Sequence, residues 1–118
     1  MDKKRNAHEG QFQVQNNFTM KTLESQAMTL IGTASEKSPI SRKTLARRIG
    51  TDDRTGRLVI EVLRHNGECI VAHEKGGYYY AESEKQYRQW RNSIESRIKR
   101  MNDMLKEMDK RWRHDLDR

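Results

Sequence analysis

The first clear pattern of apolar positions lies between Met20 and Ala34. Within it, apolar side chains recur at spacings of four, seven and eight residues, which is one face of an α-helix: Leu23, Ala27, Leu30 and Ile31. The pattern predicts an amphipathic helix over 20–34 that supplies one wall of the core. Residues 1–18 are rich in Gln and Asn and show no helical period, so we predict a mobile N-terminal arm there.

Two shorter helical patterns follow, joined by a glycine. Ser41 is a suitable N-cap, because its hydroxyl can accept a hydrogen bond from an amide of the first turn. Gly50 can adopt a positive φ and so ends the first helix, and Asn66-Gly67 ends the second. The apolar positions predicted to pack are Leu45, Ala46, Ile49, Val59, Ile60, Val62 and Leu63, and the candidate caps of the second helix are Thr51, Asp52 and Asp53.

A short β-hairpin is predicted after the second helix. Residues 69–73 and 78–81 have strand-like apolar character, and the two glycines of residues 74–77 suit a tight turn. Alternation places Tyr78 and Tyr80 on one face and Tyr79 on the other, with one set inward and the other near the surface. Ile40, directly after the only proline, is predicted to form a single strand bridge.

Residues 83–118 contain no Pro or Gly and predict one long helix with Ser83 as its cap. Apolar residues recur in two series of period seven, offset by four, which is the a/d seam of a coiled coil: Tyr87, Ile94, Ile98, Met101, Leu105, Met108 and Trp112, with Arg91 the one charged member. We therefore expect a homodimer through this helix. The alternative is a hook for a different protein, with the methionines giving an adaptable surface.

Composition and charge narrow the class of protein. Of the 118 residues, 33% are hydrophobic and 35% charged, so the core must be small. One cysteine excludes an internal disulfide and fits a reducing compartment. The segment 1–13 lacks the apolar core of a signal peptide, and no stretch resembles a membrane span, so a cytoplasmic protein is expected. The net charge of +7 is concentrated in 42–66 and 83–118, at +4 each.

The motif Leu45-Ala46-Arg47-Arg48-Ile49-Gly50, followed by Thr55 and Val59, resembles the helix-turn-helix of prokaryotic DNA-binding proteins. It departs from the usual form at Thr51, where Val or Ile is common, and at Gly56, where a β-branched core residue is common. The order of elements over 20–81, together with Gly76-Gly77-Tyr78-Tyr79-Tyr80-Ala81, looks like the small winged-helix proteins of bacteria and their phages. The expected fold is thus mainly α with a small β-hairpin wing (α+β), a winged helix-turn-helix over 19–82 followed by a dimerisation helix over 83–118.

The resemblance implies double-stranded DNA as the partner, with the second helix in the major groove. The residues expected to contact bases are Arg54, Thr55, Arg57, Leu58 and Glu61. Those expected to contact phosphate are Ser41, Arg42, Lys43, Arg47, Arg64 and, at the hairpin tip, Lys75. Because the positive charge is concentrated locally, DNA binding explains it better than a surface whose charges serve only solvation.

No catalytic constellation is found, so we expect neither an enzyme nor a cofactor. His65, Cys69 and His73 are spaced by four, but Gly67 interrupts the helix between the first two, so no metal site is expected. The leading hypothesis is a dimeric transcriptional regulator. An origin-binding protein that recruits replication proteins is the second, and an adaptor that works through the C-terminal helix is the third.

Overall fold

A computed structural model describes the backbone of residues 7–116 and the side chains of 20–113. The order of elements is α1 (Ala7–Gly32), α2 (Arg42–Arg48), α3 (Asp53–His65), β1 (Ile70–Ala72), β2 (Tyr78–Tyr80) and α4 (Glu84–Leu116). The structure is mainly helical, with one small antiparallel sheet and a long C-terminal helix. It divides into two compact units between Ala81 and Glu82.

Helix α1 begins well before the amphipathic pattern does. Its backbone is helical from Ala7, so the prediction that residues 7–18 lack helical structure is wrong. Apolar periodicity predicts an amphipathic helix, but helical backbone can form without such a period. No proline interrupts residues 7–32, and Gln is a good helix former. Residues 1–6 lie outside the described part, and the mobility of the arm stays a prediction.

The starts of α2 and α3, and the turn between them, are formed by residues that the sequence predicted for these places. The Ser41 hydroxyl accepts a hydrogen bond from the Thr44 amide at 3.0 Å, and the Asp52 carboxylate accepts one from Thr55 at 2.8 Å. Gly50 adopts a φ of 76° in the turn between the helices. These bonds satisfy amides of each first turn that have no partner within the helix.

Gly56 explains how closely α2 and α3 approach. A Cβ atom at this position would lie 3.1 Å from the Cβ of Ala46. Gly56 and Ala46 are both buried, so the two helices pack almost backbone to backbone where they cross. The departure from the usual motif at Gly56 therefore serves close packing.

One apolar core joins α1, α2, α3 and the sheet. Its buried members are Leu23, Ala27, Ile31, Leu45, Ile49, Val59, Ile60, Leu63, Ile70 and Tyr78. The predicted core residue Leu30 is half-buried and packs against this cluster, and Val62 is half-buried. The apolar faces predicted for the first three helices therefore do form a common interior.

The sheet is a two-stranded hairpin with a third contact from Ile40. Val71 pairs with Tyr79, and Ile40 forms the predicted single bridge with Tyr78. The Tyr80 hydroxyl donates to the Glu68 carboxylate at 2.8 Å; burial and this carboxylate raise the pKa of Tyr80. The hairpin is thus attached both to the loop before α2 and to the loop after α3.

The prediction for the three tyrosines is partly wrong. Tyr78 is buried and Tyr80 half-buried on the core side, as expected for one face. Tyr79 lies on the opposite face but is only 5% exposed, and its neighbour Val71 is fully buried. Strand alternation assigns residues to two faces of the hairpin, but it does not show which face is exposed to solvent. Here both faces carry large apolar side chains, and both are buried.

Helix α4 is a single unbroken helix of 33 residues. Ser83 caps it, since its hydroxyl accepts a hydrogen bond from the Gln86 amide at 3.2 Å. Ion pairs one turn apart run along its surface, such as Arg88–Glu84 at 2.6 Å, and each contributes a few tenths of a kcal/mol at most. Within the described residues, no helix has the length and apolarity to cross a membrane.

Replacing Gly77 should destabilise the protein more than replacing its neighbour. Gly76 and Gly77 both have a φ of 100°, but only at Gly77 would a Cβ collide with Pro39, at 2.8 Å. We expect Gly76→Ala to cost roughly 1–3 kcal/mol of unfolding free energy from backbone strain. Gly77→Ala should cost a further amount of about 1–3 kcal/mol for overpacking. Urea unfolding of both variants measures this, and equal losses would show that Pro39 yields without cost.

Candidate nucleic-acid interface

Helix α3 has two different faces. Gly56, Val59, Ile60 and Leu63 point into the core. The opposite face carries four of the five residues predicted to contact bases, all exposed: Arg54, Arg57, Leu58 and Glu61. Leu58 is 47% exposed, an apolar side chain among charged ones. Thr55 is half-buried and its amide serves the Asp52 cap, so it sits at the edge of this face.

Two predicted DNA-contacting arginines meet at one carboxylate. The Asp53 carboxylate accepts a hydrogen bond from Nε of Arg42 at 2.9 Å, and Nε of Arg57 lies 3.7 Å from its other oxygen. Arg42 belongs to the first turn of α2 and Arg57 to the second turn of α3. Asp53 therefore brings a predicted phosphate contact and a predicted base contact to the same place, although exposed pairs of this kind contribute little to stability.

The other predicted phosphate contacts on α2 are exposed. Lys43 and Arg47 project from the helix, and Ser41 stands at its start. The cap bond of Ser41 uses an oxygen lone pair, so its hydroxyl hydrogen is not consumed by that bond. Together with Arg42, Arg54 and Arg57, these exposed side chains of α2 and the start of α3 are mostly basic, and we call this set the basic face. Arg48 is also exposed, but it lines a separate groove with Thr29 and Leu30 of α1.

Arg64 has a structural role that the sequence does not reveal. It is half-buried, its Nε donates to the Ile70 carbonyl at 2.8 Å, and its guanidinium carbon lies 5.8 Å from the centre of the Tyr78 ring. Burial lowers the pKa of Arg64 from its usual high value. The side chain thus links α3 to both strands, and any contact with phosphate is made from this fixed position.

An open groove of about 410 Å³ lies between α3 and β2. It is lined by Arg57, Ile60, Glu61, Arg64, His65 and Tyr78. His65 and Tyr78 were not among the predicted site residues. Helical spacing could have indicated His65, because it lies one turn beyond Glu61 and two turns beyond Arg57 on the same side of α3. Tyr78 lines the groove only because the folded hairpin lies beside α3, and no local pattern indicates this.

The hairpin loop carries the last predicted phosphate contact. Lys75 is exposed, and its amide donates to Nδ1 of His73 at 3.0 Å. In the part of the chain with described side chains, no group of three or more His, Cys, Asp or Glu residues is placed to hold a metal ion.

The charge of Asp52 should make stability depend on pH. The pKa of this carboxyl is lowered from 3.8, mainly by the hydrogen bond from the Thr55 amide. A lowered pKa in the folded state stabilises above the unfolded pKa, and the contribution is lost as the pH falls through 3.8 and below.

Asp52→Asn keeps an oxygen for the cap but removes the charge. We expect its deficit in unfolding free energy relative to the native chain to be largest near neutral pH and to shrink as the pH falls below 3.8. Asp52→Ala, which loses the acceptor itself, should be destabilised at every pH. Urea titrations between pH 7 and pH 3 measure both, and a deficit of Asp52→Asn that is constant over this range would contradict the assignment.

Comparisons with known proteins found no relative of this chain. No protein-family description, curated protein or solved structure matches the chain.

Proposed function

We propose that the protein binds double-stranded DNA sequence-specifically as a winged helix-turn-helix, with α3 in the major groove. The observation that carries this proposal is the basic face, where exposed cationic side chains of α2 and α3 converge and Asp53 holds Arg42 beside Arg57. Phosphate binding requires such a local concentration of positive charge.

The order of elements supports the same proposal. A capped helix, a glycine turn and a second helix precede a hairpin, and the bridge from Ile40 to Tyr78 ties the hairpin to the start of α2. In the winged helix-turn-helix arrangement, the second helix enters the groove while the first crosses the backbone. The hairpin then acts as the wing, with Lys75 at its tip.

The exposed face of α3 suits direct recognition of base edges. Arg54 and Arg57 have the fork of donors that pairs with guanine, and the exposed Leu58 suits the methyl group of thymine. Glu61, farther along, can accept a hydrogen bond from cytosine. The groove beside α3 offers a phosphate of the backbone the guanidinium of Arg64, which its bond to the Ile70 carbonyl holds in place, and the exposed side chain of His65.

The biological role that fits best is a transcriptional regulator. A protein that binds a replication origin needs the same basic face, and the two roles differ in the partner recruited after DNA is bound. The long exposed stripe of α4 favours a contact with protein in either case.

Charge reversal on α3 tests DNA binding. Arg54→Glu/Arg57→Glu should weaken binding to a selected duplex by at least about 100-fold, since removing one base-specific pairing costs about 1–3 kcal/mol. Fluorescence anisotropy on a duplex enriched from a random library measures this loss.

The matched control is Arg100→Glu/Lys106→Glu. It makes the same change in net charge at exposed positions of α4. If both variants lose affinity equally, the effect is one of net charge alone, and α3 is not the reading helix. Enrichment of no sequence, or full affinity of the Arg54/Arg57 variant, would overturn the proposal.

A further inference from the structure

Helix α4 exposes a stripe of large apolar side chains. Five of them leave half or more of their surface in solvent: Ile98 at 52%, Met101 at 53%, Leu105 at 50%, Met108 at 57% and Trp112 at 65%. Their spacing of three and four residues is that of a coiled-coil seam. A continuous apolar stripe of this length marks an interaction surface.

We propose that two copies of the chain pair through α4 in antiparallel orientation, with the two-fold axis between Lys99 and Arg100. In this arrangement Ile98 faces Met101 of the other copy, Ile94 faces Leu105, and Tyr87 faces Trp112. The seam from Tyr87 to Trp112 is then used from end to end in both copies. Arg91 and the charged residues that flank the seam favour this orientation.

Arg91 disfavours the parallel alternative. It occupies a core position of the seam, where residues of a parallel pair face their own counterparts. Two Arg91 guanidinium groups would then meet at the same layer and repel each other. The exposed ion pair that each Arg91 forms with Glu95 of its own chain is too weak to offset this repulsion. In the antiparallel pair Arg91 faces Met108, along whose flexible side chain its own aliphatic stem can pack.

The flanking charges also favour the antiparallel pair. One flank of the seam carries Arg88, Glu95, Asn102 and Asp109, and the other carries Trp90, Arg97, Met104 and Arg111. Antiparallel helices bring like flanks together. In the proposed register Arg88 of each copy lies opposite Asp109 of the other, giving two ion pairs by symmetry.

The same charges select one register. A shift by one heptad along the partner would place Arg97 opposite Arg111 and Glu95 opposite Asp109, so both flanks would carry like charges. A parallel pair in register places Arg97 opposite Asn102 and Met104 opposite Asp109, which gains no ion pair. The proposed register is thus the one of these arrangements that combines full overlap with opposite charges.

Disulfide trapping distinguishes the two orientations. The single native cysteine is first removed as Cys69→Ser. Arg91→Cys and Met108→Cys chains, one carrying a mass tag, are then mixed and oxidised. Both positions are exposed within one chain. The antiparallel pair predicts only the mixed 91–108 disulfide, because identical residues lie about 25 Å apart along the axis at 1.5 Å per residue.

Each other result overturns the proposal. Disulfides between identical residues would establish a parallel pair, and absence of any disulfide together with a monomer mass in sedimentation would exclude the dimer. Circular dichroism of each variant checks that the helix remains folded. DNA affinity of the untrapped chain is measured separately, so failure of the dimer leaves the role of the basic face intact.

A charge exchange gives a second test that needs no cysteine. Arg88→Asp and Asp109→Arg should each raise the dissociation constant of the dimer roughly 5-fold or more, as expected when symmetry removes two exposed ion pairs at once. The double variant should recover most of the affinity. Arg113→Asp, at an exposed position away from the seam, is the control. Failure of the double variant to recover affinity would contradict the Arg88–Asp109 pairing.

Discussion

The close contact between Gly56 and Ala46 is the constraint on which the helix pair depends. Because neither residue has a side chain beyond Cβ, α2 and α3 can cross with their backbones nearly touching. This contact joins the second turn of α2 to the first turn of α3, and the same two helices are linked by the hydrogen bond from Arg42 to Asp53. A larger side chain at either position would separate the two helices and, with them, the cationic groups of the basic face. Leu45 of α2 and Val59 of α3 are both buried in the common core.

The hairpin depends on a second set of contacts, which reach it from both sides. Ile40 pairs with Tyr78 from the loop before α2, while Arg64 holds the Ile70 carbonyl from α3. A two-stranded hairpin alone is at best marginally stable in water. Its position relative to α3 is therefore determined by groups outside the strands, and the groove between them exists because Arg64 and Tyr78 are both held there.

Local signals in the sequence account for most of the fold. Caps at Ser41, Asp52 and Ser83, the turn at Gly50 and the periodic apolar faces each depend on neighbouring residues, and the structure confirms them. The start of α1 was not predicted because residues 7–18 show no apolar period, although their backbone is helical. The burial of Tyr79 was not predicted because strand alternation does not indicate what covers a face.

For the candidate site, sequence reasoning selected the exposed side of α3, since that side is the complement of the buried one. The structure adds that Asp53, named in the sequence only as a candidate cap, pairs with both Arg42 and Arg57. The packing of Arg64 against Tyr78 and the groove that includes His65 arise from contacts between distant segments, and no local pattern encodes them. Base recognition and partner choice stay predictions.

The length of α4 has a geometric consequence for the proposed dimer. In the proposed antiparallel pair, the two N-terminal units are attached at opposite ends of a rod of about 50 Å, given 33 residues at 1.5 Å each. The distance between the two attachment points would then follow from the number of heptads in α4. Removing one heptad would shorten this distance by about 10 Å, which is close to the length of three base pairs at 3.4 Å each. If the dimer binds DNA as proposed, the reach between its two attachment points would depend on α4, whereas the bases it recognises would depend on α3.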